Sequence, residues 1–240
     1  MGSRQAMEKI IIPNWKKWLS YLVPIKIEQS TSEYNPLLLV KLARGRLQLL
    51  TENAIYSYDD LYDNFDHAFH EIDLKNRKIE ETLVLGLGLG SIPFLIETKH
   101  QLKTYITAIE IDEEIIRLAS KYSLHRLNNP IDCVCADAEI FLDATEEKFD
   151  LICMDVFEDE KIPAQFSSPE FLETIKEKLN PDGIFLFNHL ATTAQDKDIA
   201  KKYFHEIFTQ AFPEGTIVST KHNYVMLNDS KFLKRKKAEI

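Results

Sequence analysis

Cysteine is scarce in this chain. Its 240 residues include only Cys133, Cys135 and Cys153, which make neither a disulfide framework nor a complete zinc set, so a reducing, cytoplasmic setting and no metal site are expected. Positive charge is short as well: 29 Lys and Arg stand against 38 Asp and Glu, a formal charge of −9. Phosphate binding draws most of its affinity from Lys and Arg, so this balance argues against a nucleic-acid partner and favours a cationic or neutral small molecule. No apolar run approaches the roughly 20 residues needed to cross a bilayer, and no apolar signal segment follows the first charged residues. Internal repeats are absent too. What is present is a hydrophobic fraction of 45%, enough to core one α/β domain with a small companion.

The chain divides by its periodicity. Residues 8 to 22 mix apolar and aromatic groups with lysines before Pro24 and predict an N-terminal helix or arm, in which Trp15 and Trp18 are expected to pack. Ile25 to Gln29, Leu37 to Ala43 and Arg46 to Leu50 are short alternating runs separated by turn residues, which predict a small antiparallel sheet in an N-terminal unit over 7–58. From Asp59 to about Ile72, Leu61, Phe65, Ala68 and Phe69 recur at helical spacing and predict a bridging helix. Beyond Glu81, buried strands alternate with helices up to Leu227, the pattern of a parallel sheet covered on both faces, in a second unit over 59–230. The final strands, Gly215 to Ser219 and Tyr224 to Leu227, are too close for a crossover helix and must pair as a hairpin, so one strand runs antiparallel. This is the arrangement of the class I methyltransferase fold: a Rossmann-like, seven-stranded, mostly parallel sheet with an antiparallel end hairpin, here beside a small β-rich N-terminal domain. The last residues, 231–240, read as a solvated basic tail.

Four strand ends carry the chemistry. Leu83-Val-Leu-Gly86-Leu-Gly88-Leu-Gly90-Ser91 is an apolar strand running into a glycine-rich turn and a helix, where a ligand can approach backbone amides. Twenty residues after Gly90, Glu110 ends the next strand and can accept hydrogen bonds from ribose hydroxyls. Asp112 is a second candidate for the nucleoside, although it fits a helix N-cap before Glu113-Glu114 even better. Asp137-Ala138 follows the third strand, where a loop carboxylate can accept from an adenine amino group. Asp155 ends the fourth, followed by Glu158 and Asp159; a loop cap and a solvated turn are the plainer reading of these acids. Ligands of open α/β sheets bind at carboxyl strand ends near the switch in strand order, which all four positions fit.

From about Ile25 to Leu227 these residues resemble the spermidine synthase family, the aminopropyltransferases and their relatives. The resemblance implies that Gln48, in Gly45-Arg-Leu-Gln48, contacts the cofactor, and that Tyr58 lies on the substrate side. It also makes Gly86, Gly88, Gly90, Glu110, Asp112, Asp137 and Ala138 the nucleoside site, with Asp155 as the catalytic aspartate. A homodimer is implied by the family alone. Three departures stand out: the family's acid within the glycine loop is Leu89 here, its Asp-Glu pair upstream of the tyrosine is Ala54-Ile55, and its Asp-Ser-Ser-Asp-Pro stretch is reduced to Asp155-Val-Phe-Glu158-Asp159. The nucleoside half is kept and the amine half eroded, with Asp59, Asp60 and Glu158 left to hold a cation.

The expectation is therefore a spermidine synthase-like methyltransferase that uses S-adenosylmethionine on a small molecule. Polyamine aminopropyl transfer from decarboxylated S-adenosylmethionine, with an amine as substrate, is the alternative. A non-catalytic nucleoside-binding protein is a third reading, and an NAD-linked dehydrogenase a weaker one, because Ser91 stands at the third fingerprint position.

Overall fold

Leu38, Val40 and Leu42, then Leu47 and Leu49, alternate with less buried neighbours, so each run has one apolar face. Arg44 and Gly45 between them take positive φ, 52° and 77°, and make the tight turn that pairs the runs. The computed structural model describes residues 10–52, 55–57, 63–158 and 161–234. In it these strands belong to a sheet of order β1-β2-β3-β4, formed by Ile25–Ser30, Leu38–Ala43, Arg46–Leu50 and Ile55–Ser57 and antiparallel throughout. The fourth strand has no counterpart in the sequence reading.

The expected helix over 8–22 is shorter than its periodicity suggested: α1 covers Asn14–Leu19. Pro13 sits extended at its N-cap and biases the residue before it away from helical geometry. Trp15 and Trp18, expected to pack, are instead 64% and 81% exposed. Helix α2, Asp63–Glu71, lies within the predicted bridging helix and buries Phe65, Ala68 and Phe69.

The second sheet consists of β5 (Glu81–Leu85), β6 (Tyr105–Glu110), β7 (Ile131–Cys135), β8 (Phe149–Met154), β9 (Leu179–Leu190), β10 (Thr216–Ser219) and β11 (Asn223–Leu227). Their order is β10-β11-β9-β8-β5-β6-β7. Strands β5 to β9 run parallel, while β11 is antiparallel to both β9 and β10, which is the end hairpin the sequence required. The near-continuous apolar runs explain why both faces are covered. Val84, Leu151, Cys153 and Leu186 lie under Phe65 and Phe69. Leu83, Leu85, Ile152, Met154, Phe185 and Phe187 lie on the other face, under α6 (Pro169–Glu177) and α7 (Ala194–Tyr203). Each such large side chain contributes roughly 1.5–3 kcal/mol when fully buried. The single helix expected from Asp196 to Phe212 is α7 continued by a π turn, Phe204–Phe208, and a last turn, Thr209–Ala211. Among the described residues no helix is long and apolar enough to cross a membrane.

One apolar cluster joins the two sheets. Leu38, Val40, Leu42, Leu47 and Leu49 pack on Leu89 and on Ile115, Leu118 and Tyr122 of α4, Glu113–Tyr122. Polar groups at its rim fix the same contact: Arg117 donates to Glu28 (2.5 Å) and Glu114 (2.7 Å), and Lys121 and Tyr122 also donate to Glu28. Burial alone would raise the Glu28 pKa, but its hydrogen bonds from Lys121, Tyr122 and Arg117 outweigh that and hold it down at about 2.

Candidate active site at the carboxyl strand ends

In this strand order the direction of succession reverses between β5 and β8, so the crevice where open α/β sheets take ligands lies at their carboxyl ends. Gly86 follows β5 and Asp155 follows β8. The Asp155 N–H donates to the Leu85 carbonyl at 2.8 Å. Gly86, at φ 88°, lies so close that a Cβ there would meet the Asp155 carbonyl oxygen at 2.3 Å. Only a residue without a side chain allows both the conformation and the approach. Helix α3 starts directly from the loop, with Ser91–Phe94 followed by a π turn over Leu95–Lys99.

Glu110, the last residue of β6, is 9% exposed. Its Oε2 accepts from the N–H groups of Leu87 (3.1 Å) and Gly88 (3.4 Å), and its Oε1 from the N–H of Asp112 (3.2 Å). The glycine loop is thus folded over the carboxylate that the sequence placed 20 residues beyond it. Burial raises the Glu110 pKa above its ordinary value, against the lowering effect of those three amides. Among the described residues Oε1 carries a single bond and can accept another, as a ribose hydroxyl would require.

Asp137 is the N-cap of α5 (Ala138–Ala144), and both its bonds, from Glu139 N–H at 2.8 Å and Ile140 N–H at 3.2 Å, fall on Oδ1. Oδ2 has no partner among the described residues, and Ala138 beside it is buried. Asp155 Oδ1 accepts from Asn188 Nδ2 at 2.9 Å. Asn188, near the end of β9, is 1% exposed and its own Oδ1 has no partner among the described residues. The sequence reading missed Asn188. The available signal was an amide closing the apolar run Gly183 to Asn188, on the strand next to that of Asp155.

Other candidates fall elsewhere. Asp112 is 1% exposed and its carboxylate is spent on packing: Oδ1 caps α4 through the Glu114 N–H (3.0 Å), and Oδ2 accepts from Asn35 Nδ2 (2.8 Å) and Ser32 Oγ (2.5 Å). It pins the loop between β1 and β2 to the start of α4. Gln48 is half-buried on the face of β3 opposite Leu47 and Leu49, beside Lys41, and among the described residues no hydrogen bond ties it to the strand ends. Glu158 is exposed in a turn closed by mutual backbone bonds with Lys161. Tyr58, Asp59, Asp60 and Asp159 lie outside the described residues. Leu89, which stands in the glycine loop where the resemblance puts an acid, is 3% exposed within the cluster against the N-terminal sheet. A cleft of about 590 Å³ lined by Glu80, Lys103, Thr104, Tyr105 and Asn129 opens at the opposite, amino-terminal edge of β5 and β6, away from the carboxyl ends.

Known proteins give the same outline. The model of the spermine/spermidine synthase domain matches residues 68–235. A probable polyamine aminopropyl transferase of Bifidobacterium longum is 36% identical over 111 residues, which cover 44% of this chain and 23% of that protein. A polyamine aminopropyltransferase of Vibrio vulnificus is 28% identical over 139 residues, 57% of this chain and 44% of that one. The chain therefore spans less than half the length of either relative in the matched region. Spermidine synthase from Thermotoga maritima superposes with a TM-score of 0.64 at 15% identity, over 84% of this chain and 71% of the other, a likeness of fold.

Proposed function

From the premise that the chain belongs to the spermine/spermidine synthase family, we propose that it binds a sulfonium nucleoside at the carboxyl ends of β5 to β8 and transfers an aminopropyl group to a small amine. The observation that carries this reading is the pairing of a buried acceptor, Glu110, under the glycine loop with Asp155, which is held by Asn188 at the switch point. Decarboxylated S-adenosylmethionine supplies the activated carbon–sulfur bond. Glu110 Oε1 takes a ribose hydroxyl, and the loop amides beyond Gly86 approach the nucleoside. Asp137 Oδ2 accepts from the adenine amino group, with Ala138 against the ring.

The nitrogen lone pair of the acceptor forms the new carbon–nitrogen bond as the carbon–sulfur bond breaks, and the sulfur leaves as a neutral thioether. The nitrogen then carries a surplus proton. Asp155 takes it, which requires a carboxylate at a fixed place, and the hydrogen bond from Asn188 holds one of its oxygens. Asn188 acts through Asp155 and is a positioning residue.

One observation favours a second reading, transfer of methyl from intact S-adenosylmethionine. At the loop position where aminopropyltransferases carry an acid, Leu89 is turned into the inter-sheet cluster and offers no carboxylate to the donor's amine. Calorimetric titration with decarboxylated S-adenosylmethionine, S-adenosylmethionine and methylthioadenosine, on the chain and on Glu110→Ala, separates the cases. Preference for the decarboxylated donor, lost in the variant, is the expected result. Preference for the intact donor would establish the methyl reading, and absence of binding by all three would overturn both.

A further inference from the structure

Away from the strand ends, α2 and the end of α3 bring together three side chains that the proposed transfer does not use. Asp66 and His70 stand four residues apart on α2, one above the other on the same face. His100 closes the π turn Leu95–Lys99, through its N–H to the Leu95 carbonyl at 3.0 Å. One ligand atom from each, a carboxylate oxygen and two imidazole nitrogens, lies within 4.8 Å of the others. We propose that Asp66, His70 and His100 form a binding site for a divalent transition-metal ion of the zinc type, clamping α2 to the end of the helix that begins at the glycine loop.

The geometry is close to what such an ion needs. Zinc–nitrogen and zinc–oxygen bonds of about 2.1 Å at tetrahedral angles put neighbouring ligand atoms roughly 3.4 Å apart. Asp66 Oδ1 and His100 Nε2 are already 3.2 Å apart. The remaining adjustment falls on His70, the exposed member of the three, whose ring meets that of His100 edge-on at 5.4 Å. The other two ligands are held from outside. Lys99 Nζ donates to Asp66 Oδ2 at 2.6 Å, leaving Oδ1 toward the histidines, and the Phe69 ring fixes the His100 ring edge-on at 5.2 Å. Such supporting contacts orient ligands in metal centres. His100 is 5% exposed, and on metal binding its Nε2 exchanges the hydrogen bond to Asp66 Oδ1 for the bond to the ion.

Two imidazoles and one carboxylate select zinc, cobalt, nickel or copper over magnesium and calcium, and leave a fourth position for water. Lys99 and Lys234 add positive charge nearby, Lys234 through its bond to the His70 carbonyl, so the affinity is below that of an all-thiolate structural site.

The test is titration of the full chain with cobalt(II), followed by visible absorption, and with zinc chloride, followed by calorimetry. His70→Ala and Asp66→Asn are titrated alongside, and magnesium chloride serves as the comparison ion. The expected result is one equivalent of zinc per chain, displacing cobalt from a tetrahedral spectrum, with no comparable magnesium binding. Affinity should fall at least about tenfold in each variant. A hundredfold excess of zinc over the parent's Kd should raise the Tm by roughly 5 °C in the parent chain and by about half of that or less in the variants. His70 is exposed, so its variant should melt like the parent in EDTA. Absence of stoichiometric zinc binding, or zinc binding of unchanged affinity in His70→Ala, would overturn the proposal, and neither outcome bears on nucleoside binding.

Discussion

Replacing Glu110 by glutamine tests the centre of the site at constant shape. The carboxylate accepts from three backbone N–H groups, those of Leu87 and Gly88 on Oε2 and that of Asp112 on Oε1. An amide must set an NH2 against at least one of these donors. Its best orientation keeps the oxygen toward the glycine loop and loses the Asp112 bond. A hydrogen bond to a charged acceptor is worth about 1.5–3 kcal/mol, and relief from burying a charge returns part of it, so folding stability should fall by about 1–2 kcal/mol. Nucleoside binding should suffer as much or more, because the position that accepts the ribose hydroxyl becomes a donor. A loss of about 1.5–3 kcal/mol corresponds to roughly 10- to 150-fold in Kd for methylthioadenosine.

The pH dependence separates the two effects. Burial raises the Glu110 pKa above the ordinary 4.5, so the folded chain takes up a proton more readily than the unfolded one. The stabilisation from that proton is full at low pH and lost as pH rises through the folded pKa. Ligand binding runs the other way, since the ribose needs the ionised carboxylate: affinity should decline as pH falls through the raised pKa. Urea unfolding and calorimetry at a series of pH values should show both trends in the parent chain and neither in Glu110→Gln. Parent-like affinity in the variant, with the same pH profile, would refute the role given to this residue.

Leu89→Asp would put a charge into the inter-sheet cluster, where Leu89 is 3% exposed. It should cost at least about 3 kcal/mol in urea unfolding without improving affinity for an aminopropyl donor, and a stable variant with improved donor affinity would show that Leu89 faces the pocket. Asp112→Ala removes a helix cap and the acceptor for Ser32 and Asn35. A stability loss of about 1–3 kcal/mol with nucleoside Kd changed less than about threefold is expected; a selective loss of affinity would return Asp112 to the ligand site. Burial depresses the pKa of His189 from 6.5 to about 3, so between those values only the unfolded chain carries the proton. Stability is therefore lost as pH falls through that window, by up to about 1.4 kcal/mol per pH unit, and His189→Phe should flatten the slope by that amount in chemical denaturation.

Much of the architecture was legible because it rests on local pattern. Alternation over Leu38–Ala43 and Arg46–Leu50, near-continuous apolar runs from β5 to β9, and the short link before β11 define both sheets, since burial on one face or two leaves a different residue period. Glu110 was found by its distance from the glycine loop, which fixes one strand and one turn. Boundaries were less legible. Pro13 shortened α1, and π turns after Phe94 and Tyr203 left no mark in the helical period.

The sequence by itself determined which residues end the strands of the second sheet, and so the positions of Gly86, Glu110, Asp137 and Asp155, because strand period and turn chemistry are written in neighbours along the chain. The tertiary structure alone decided what the side chains beside those ends meet. Asp112 was divided between nucleoside and cap until Ser32 and Asn35 took its second oxygen from 80 and 77 residues away. Leu89 of the glycine loop packed against the N-terminal sheet. Asn188 joined Asp155 across 33 residues, and Asp66 and His70 met His100 between two helices. Such contacts depend on the order in which strands and helices pack, which a hydrogen bond or an apolar contact between distant residues reports and no local spacing encodes.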